Sequence, residues 1–209
     1  MSLWARMLSE MPLIAILRGV TPDEAIAIGQ ALHEAGLVCV EVPLNSPKPL
    51  GSIAALAGVF EGRMLVGAGT VLTPADVDEV KRAGGQFVVS PNADSAVIKA
   101  TKAAGLLSLP GFYTPSEAFA AIAAGADALK LFPADTAPPA YVKALKAVLP
   151  SESPLFAVGG VSEAKMADYL AAGARGFGLG SGLYRPGDAP ETVRARAESY
   201  VRAYKAARG

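Results

Sequence analysis

Helical patterns and short apolar runs alternate along the whole chain. Five times a helical stretch ends in Ala-Gly and is followed directly by an apolar run. Glycine just past a helix accepts the left-handed backbone that closes the last turn, and an unbroken apolar run suits a parallel strand that is covered on both faces. Three further runs bring the number of predicted strands to eight. The eight runs are 13–18, 37–42, 64–68, 86–89, 106–109, 128–133, 155–158 and 176–179.

The helices predicted between these strands share a start signal. Thr21, Thr73 and Thr114 are each followed by proline and by an acidic residue in the first turn, which is typical of a capped helix start. A last helix, from 190 to 207, would carry its apolar residues on one face. These residues are Val193, Ala197, Tyr200, Val201 and Tyr204.

This alternation indicates a parallel α/β sheet with right-handed crossovers, and eight units favour a closed barrel. A doubly wound open sheet is the alternative, although such a sheet usually has a Gly-rich turn after its first strand, which residues 17–21 do not provide. The length of 209 residues favours one domain. We predict a single (β/α)8 TIM barrel over residues 1–209, with a short N-terminal extension and a C-terminal helix.

Composition narrows the range of functions. Nineteen basic and nineteen acidic residues cancel, so the charge predicts neither a nucleic-acid nor a membrane-surface partner. One histidine, His33, and one cysteine, Cys39, make a zinc site difficult to build, while an oxygen-ligated magnesium stays open. A single cysteine also suits a reducing compartment, and we expect a cytoplasmic protein.

One lysine lies inside an apolar predicted strand. Lys130 stands between Leu129 and Leu131, where an ammonium group would lose hydration. Desolvation lowers the pKa of a lysine and leaves more neutral amine, which is a good nucleophile towards a carbonyl carbon. The alternative is a lysine that reaches solvent at a strand end or pairs with a carboxylate.

Other polar residues also stand at predicted strand ends, and in a barrel the carboxyl ends of the strands form one rim where active sites lie. Glu41 lies inside the second strand and Arg18 ends the first. A partly buried carboxyl group can give and take protons near neutral pH, and arginine can bind a carboxylate through two hydrogen bonds. The alternative is a structural ion pair of Glu41 with Arg18 or Lys130.

Two small-residue clusters follow the last two strands. Gly159 and Gly160 follow the seventh strand, and Gly180 and Ser181 follow the eighth. Small residues let backbone N–H groups approach an anion, and a helix starting after Gly160 would add its positive end. Barrels commonly bind phosphate at these two loops. We therefore predict a phosphate site, with tight turns that hold no ligand as the alternative.

Together these groups outline an aldolase that needs no metal and no cofactor. A protonated imine on Lys130 would act as an electron sink for breaking a carbon–carbon bond, and Glu41 would move protons. Arg18 and the glycine loops would bind the two acidic ends of a phosphorylated keto acid. Two other functions fit the same residues: a phosphosugar isomerase or epimerase with Glu41 as the base, and a non-catalytic phosphate-binding barrel.

Six motifs follow one another along the chain: PLIAILRG at 12–19, VEVPLNSP at 40–47, GAGTVL at 67–72, SPN at 90–92, LKLFP at 129–133 and FAVGGV at 156–161. In this order they resemble the bacterial 2-keto-3-deoxy-6-phosphogluconate/6-phosphogalactonate aldolase family of class I enzymes. The resemblance covers the whole chain and implies a (β/α)8 barrel, a phosphorylated 2-keto-3-deoxy acid as substrate, pyruvate and glyceraldehyde 3-phosphate as products, and a homotrimer.

The resemblance also implies a role for individual residues. Lys130 would form the imine, Glu41 would be the general acid and base, and Thr70 would contact the pyruvate-derived carboxylate. Gly159, Gly160 and Ser181 would contact the phosphate. The complete set of substrate-binding residues that we assign is Arg18, Thr70, Pro91, Phe132, Val158, Gly159, Gly160, Gly180 and Ser181.

Two positions distinguish the branches of this family. The phosphogluconate enzymes usually carry arginine where this chain has Asn45 and threonine where it has Val158. With Arg18, this combination resembles the phosphogalactonate branch, in which the first-strand arginine binds the carboxylate. Exchanging a hydroxyl for an isopropyl group changes what faces the substrate C4 hydroxyl, where the two sugars differ. We expect 2-dehydro-3-deoxy-6-phosphogalactonate as the substrate, with the phosphogluconate epimer and 4-hydroxy-2-oxoglutarate as alternatives.

Overall fold

The computed structural model describes residues 1–208, which form nine α-helices and nine strands. None of these helices is both long and apolar enough to cross a lipid bilayer. The strands are β1 (Leu13–Ile16), β2 (Cys39–Pro43), β3 (Leu65–Gly69), β4 (Phe87–Val89), β5 (Leu107–Leu109), β6 (Gly111–Phe112), β7 (Leu129–Leu131), β8 (Leu155–Val158) and β9 (Gly176–Leu179). The helices are α1 (Leu3–Glu10), α2 (Pro22–Glu34), α3 (Pro49–Val59), α4 (Pro74–Arg82), α5 (Ser95–Ala103), α6 (Pro115–Ala123), α7 (Pro139–Lys146), α8 (Met166–Ala171) and α9 (Pro190–Arg208).

All strand pairs are parallel, and the sheet closes on itself. β1 pairs with both β2 and β9, so the first and last strands are neighbours. β5 and β6 are two halves of one strand interrupted at Pro110, which has no N–H group to donate. The first half pairs with β4 and the second with β7. The barrel therefore has eight strand positions, and the predicted TIM barrel is confirmed.

The local signals in the sequence correspond to real caps. The five glycines of the Ala-Gly pairs have φ between +72° and +103°, the left-handed conformation that closes a helix without the steric cost of a Cβ. Thr73 and Thr114 accept hydrogen bonds from the backbone N–H groups of Asp76 and Glu117. All five apolar residues predicted for one face of α9 are buried. The five glycines are Gly36, Gly84, Gly105, Gly125 and Gly173.

Alternate residues of each strand face two different cores. On β1, Leu13 and Ala15 pack in the layer between sheet and helices, whereas Ile14 and Ile16 pack inside the barrel. On β7, Leu129 and Leu131 belong to the outer layer. Because side chains alternate along a strand, residue 130 between them faces the barrel interior.

The N-terminal extension is the helix α1, which closes the amino-terminal end of the barrel. Met7 of α1 is fully buried in the interior cluster, and the Trp4 ring lies 6.5 Å from that of Phe156. The Ser2 side chain caps α1 by accepting a hydrogen bond from the backbone N–H of Ala5. The extension is therefore part of the barrel core at this end.

Candidate active site

A cavity of about 760 Å³ opens at the carboxyl ends of the strands. Ten of the eleven residues that the sequence predicts for the site line this cavity. The eleventh, Glu41, lies below it inside the barrel. The ten are Arg18, Thr70, Pro91, Lys130, Phe132, Val158, Gly159, Gly160, Gly180 and Ser181.

Lys130 and Glu41 meet at the bottom of the cavity, where both line a second, small cavity of about 10 Å³ together with Val158. Lys130 is 8% exposed and Glu41 is 2% exposed. Within residues 1–208, neither Lys130 nor Arg18 lies within 4.0 Å of the Glu41 carboxylate as an ion pair. The Glu41 Oε2 atom has no hydrogen-bond partner there. The structural ion pair that was the alternative interpretation is therefore not formed.

Burial moves the pKa values of this pair towards the neutral forms. Loss of hydration raises the pKa of Glu41, partly offset by the positive charges of Lys130 and Arg18. Loss of hydration also lowers the pKa of Lys130, partly offset by Glu41 and reinforced by Arg18. A neutral amine can attack a carbonyl carbon, and a protonated carboxyl group can donate a proton to the resulting alkoxide. The pair can thus supply both a nucleophile and an acid.

Glycine on β3 makes room for the Glu41 carboxylate. A Cβ atom added at Gly69 would lie 2.8 Å from the Glu41 Cδ atom, so only glycine fits beside this side chain. The next residue, Thr70, has φ of +56°. This left-handed conformation is strained for a β-branched residue, and such strain concentrates at functional sites. It brings Thr70 into the wall of the cavity.

The loop after β2 orients the arginine after β1. Arg18 donates a hydrogen bond from Nη1 to Asn45 Oδ1 at 2.5 Å. The neighbouring Gly19 N–H donates to Ser46 Oγ at 2.9 Å. The first contact orients the guanidinium group and the second fixes the backbone next to it. Arg18 lines the cavity, where it can bind an anionic group.

Free backbone donors mark the two small-residue loops. Within residues 1–208, the N–H groups of Gly160, Val161, Ser181 and Gly182 donate to no protein acceptor. Gly159 and Gly160 have φ values of +101° and +68°, a conformation that favours glycine. The loops can therefore offer several neutral hydrogen-bond donors to an anion.

The helical segment expected after Gly160 is present, but it begins as a 3-10 turn. Residues Glu163–Lys165 form a single 3-10 turn, and α8 begins only at Met166 and has six residues. After β9, no helix begins before Pro190. The α-helical part after β8 is therefore short, and its positive end adds less at this loop than a long α-helix starting there would.

Side chains that the sequence did not single out also line the cavity, chiefly from the segment after β9 and from α9. Arg185 lies four residues after Ser181, a spacing that could have drawn attention to it. The Tyr200 hydroxyl lies against Gly182, although the sequence predicts only an apolar helix face for this residue. The additional lining residues are Ile16, Gly19, Val161, Ser162, Gly178, Gly182, Tyr184, Arg185, Pro186 and Tyr200.

The charged residues that line the main cavity within residues 1–208 are all cationic: Arg18, Lys130 and Arg185. In the same part of the chain, no group of three His, Cys, Asp or Glu residues could hold a metal ion. This charge distribution suits an organic substrate that carries negative groups.

The chain is similar to known proteins over almost its whole length. The sequence pattern of the KDPG and KHG aldolase family matches residues 5–190. The chain is 49% identical over 199 residues to the 2-dehydro-3-deoxy-6-phosphogalactonate aldolase of Escherichia coli, which covers 95% of this chain and 97% of that enzyme.

Two solved structures are similar along almost the whole chain. A native KDPGal structure is 49% identical, with a TM-score of 0.93 over 95% of this chain and 96% of the other. A chain of a cube-shaped protein cage, designed by fusing symmetric oligomeric domains, is also 49% identical. Its TM-score is 0.92 over 94% of this chain and 73% of the other. The protein described here therefore belongs to the KDPG and KHG aldolase family.

Proposed function

We propose that the whole chain is one aldolase domain that cleaves 2-dehydro-3-deoxy-6-phosphogalactonate to pyruvate and glyceraldehyde 3-phosphate. The observation that carries this proposal is the buried pair of Lys130 and Glu41 beneath a cavity whose charged lining is cationic. The substrate has a carboxylate at one end and a phosphate at the other, so both of its charged groups suit this cavity. The relative from Escherichia coli carries the name of the same activity.

In the first half of the reaction, neutral Lys130 attacks the C2 ketone. Glu41 donates a proton to the oxygen of the resulting carbinolamine, water leaves, and a protonated imine forms. Arg18 and Thr70 hold the C1 carboxylate during this step. Burial favours the neutral amine and the protonated carboxyl group that the step needs.

In the second half, the bond between C3 and C4 breaks. Glu41, now ionised, takes the proton of the C4 hydroxyl, the aldehyde leaves, and the electron pair of the C3–C4 bond moves onto the protonated imine, which becomes a neutral enamine. The enamine takes a proton back at C3, and hydrolysis of the imine then releases pyruvate and regenerates Lys130. Pro91, Phe132 and Val158 line the same cavity, and in this proposal they surround the reacting carbons.

The decisive experiment traps the imine. The protein is incubated with pyruvate and borohydride, and peptide mass spectrometry locates the reduced adduct. We expect one adduct on Lys130 in the wild type and none in Lys130→Met. A phosphosugar isomerase or a non-catalytic binding protein would give no adduct. A folded wild type that forms none would overturn the aldolase assignment.

Substrate preference is assigned to Val158. This side chain is 6% exposed and packs against Gly178, where an added Cβ would lie 2.8 Å from Val158 Cγ2. Val158→Thr replaces a methyl by a hydroxyl at nearly constant volume, so it tests the polarity of this wall alone. We expect kcat/KM to be higher for the phosphogalactonate than for its epimer in the wild type, and the ratio to fall about tenfold in the variant. An unchanged ratio would place the preference elsewhere.

We propose a homotrimer as the assembly, located in the cytoplasm. Support comes from the family resemblance and from the similarity to a chain used as a symmetric oligomeric domain. Cys39 is buried and unpaired within the described chain, which suits a reducing compartment. Light scattering after size-exclusion chromatography should give three times the chain mass of 21.3 kDa, and a monomer mass would contradict the proposal.

A further inference from the structure

The phosphate end of the cavity, formed by the small-residue loops after β8 and β9, has no positive charge assigned to it so far. In the reaction proposed above, Lys130 is used by the ketone and Arg18 by the carboxylate. The small-residue loops offer neutral N–H donors, and no α-helix of eight residues or more begins beside them. Phosphate esters carry between one and two negative charges near neutral pH, and charged hydrogen bonds are roughly twice as strong as neutral ones. A cation at this end would therefore add much to binding.

Arg185 is the third cation that lines the cavity, and its side chain is held at the phosphate end. Its Nε donates a hydrogen bond to the Ser181 carbonyl oxygen at 3.2 Å. This contact ties the guanidinium group to the loop after β9, whose N–H groups at Ser181 and Gly182 are free within residues 1–208. The terminal nitrogens of Arg185 make no hydrogen bond in the same part of the chain.

Asp188, the acidic residue that lies near Arg185 along the chain, forms its ion pair with a different arginine, Arg196. Asp188 Oδ2 accepts a hydrogen bond from Arg196 Nη1 at 2.5 Å and another from the backbone N–H of Arg185 at 2.8 Å. Asp188 thus fixes the backbone of Arg185, while Arg196 of α9 takes up its charge. Within residues 1–208 no carboxylate lies within 4.0 Å of the Arg185 guanidinium as an ion pair. The guanidinium is available to a bound anion.

We propose that Arg185 binds the phosphate group of the substrate and sets the preference for phosphorylated over unphosphorylated 2-keto-3-deoxy acids. The inference rests on the proposed function, because it takes the aldol substrate as given. Nε stays bonded to Ser181, and the terminal nitrogens donate to the phosphate oxygens beside the N–H groups of the loop. Arg185 acts in binding and takes no part in proton transfer.

The test compares two substrates in Arg185→Gln. We expect kcat/KM for the phosphorylated keto acid to fall about 10- to 100-fold, mainly through KM, while the unphosphorylated acid changes less than about twofold. The concentration of inorganic phosphate that gives half-maximal inhibition should be about tenfold higher for the variant than for the wild type. Arg185→Lys, which keeps the charge but loses the planar fork, should recover part of the loss. Arg202→Gln is the matched control, because this arginine of α9 is 70% exposed, and it should behave as the wild type does.

The outcomes separate this inference from the proposed function. Borohydride trapping of pyruvate on Lys130 should be the same in the wild type and in Arg185→Gln, since pyruvate has no phosphate. Equal losses for both substrates, or no loss for either, would overturn the role of Arg185 while leaving the aldolase intact. Failure of trapping in the wild type would overturn the proposed function itself. If Arg185→Gln does not fold, unchanged phosphate inhibition of Arg185→Lys would likewise contradict the inference.

Discussion

The two ends of the barrel interior are built from the same strands but differ in what fills them. At the amino end, Leu65, Phe87 and Phe156 form one buried apolar cluster with Met7 of α1. Towards the carboxyl end, the two charged residues Glu41 and Lys130 lie among apolar interior residues such as Ile16 and Leu109. Along β8 the interior side chains shrink from Phe156 to Val158, and Gly160 follows. One end is therefore a packed core, and the other is a cavity with two buried ionisable groups.

Residues that stabilise the fold and residues that carry out the chemistry therefore lie at opposite ends of the barrel axis. Burying Lys130 and Glu41 without a close ion pair costs free energy, because both groups lose hydration. The apolar amino end, closed by α1, contributes stability that offsets this cost. Substitutions at the two ends should therefore have opposite signatures, with activity lost at one end and stability lost at the other.

The largest effect is expected for Lys130→Met. Without the amine no imine can form, so kcat/KM should fall at least about a thousandfold. The melting temperature should stay equal or rise, because an apolar side chain of similar length replaces a dehydrated amine. Steady-state kinetics and calorimetry measure both, with exposed Lys205→Met as the control. A large loss of stability would contradict the proposed division between the ends.

Gly69→Ala should damage the site by displacing a catalytic group. The new Cβ would collide with the Glu41 carboxylate, and a shift of about 1 Å in such a group costs on the order of a hundredfold in rate. The matched control is Gly58→Ala on α3, where a Cβ meets no atom within 4 Å. This control should keep full activity and gain about 0.5–1 kcal/mol of stability. Wild-type activity in Gly69→Ala would show that the position of Glu41 does not limit the reaction.

Met7→Ala tests the amino end. Removing this fully buried side chain should lower the free energy of unfolding by about 2–4 kcal/mol, measured by urea denaturation. The kcat of the folded protein should stay within about twofold of the wild type, because α1 lies away from the cavity. Exposed Val148→Ala, at a residue that is 59% accessible, should have little effect on stability. A fall in kcat without a fall in stability would link α1 to the chemistry.

The smallest effect is a pH dependence of stability that comes from Glu41. Its pKa in the folded state is raised above 4.5, so the folded protein binds the proton more tightly than the unfolded chain does. This contribution is fully present below pH 4.5 and is lost as the pH rises through the folded-state pKa. The stability of Glu41→Gln relative to the wild type should therefore increase over that window and then level off. A constant difference between the two proteins at all pH values would contradict the raised pKa.

Much of the fold was predictable because its signals are local. A glycine after a helix or a threonine before one acts within a single turn, and the structure has these caps at the predicted residues. The prediction was less complete where a neighbour in space decides the conformation. The fifth strand continues beyond Pro110 as β6 because β7 pairs with it there. The helix expected after Gly160 begins as a 3-10 turn and becomes α-helical only at Met166.

The sequence by itself determined the set of elements, the parallel barrel and the residue types of the site. Periodicity, caps and apolar runs depend on neighbours along the chain, so the sequence alone reveals them. Once they predict a barrel, the strand ends are expected to carry the chemistry. Only the tertiary structure decided which groups meet. It placed Glu41 beside Gly69 and beneath the cavity that Lys130 lines, hydrogen-bonded Arg18 to Asn45, and brought Arg185 to the rim. The physical reason is that desolvation and hydrogen bonding depend on atoms distant in sequence, which closure of the barrel brings within a few ångströms.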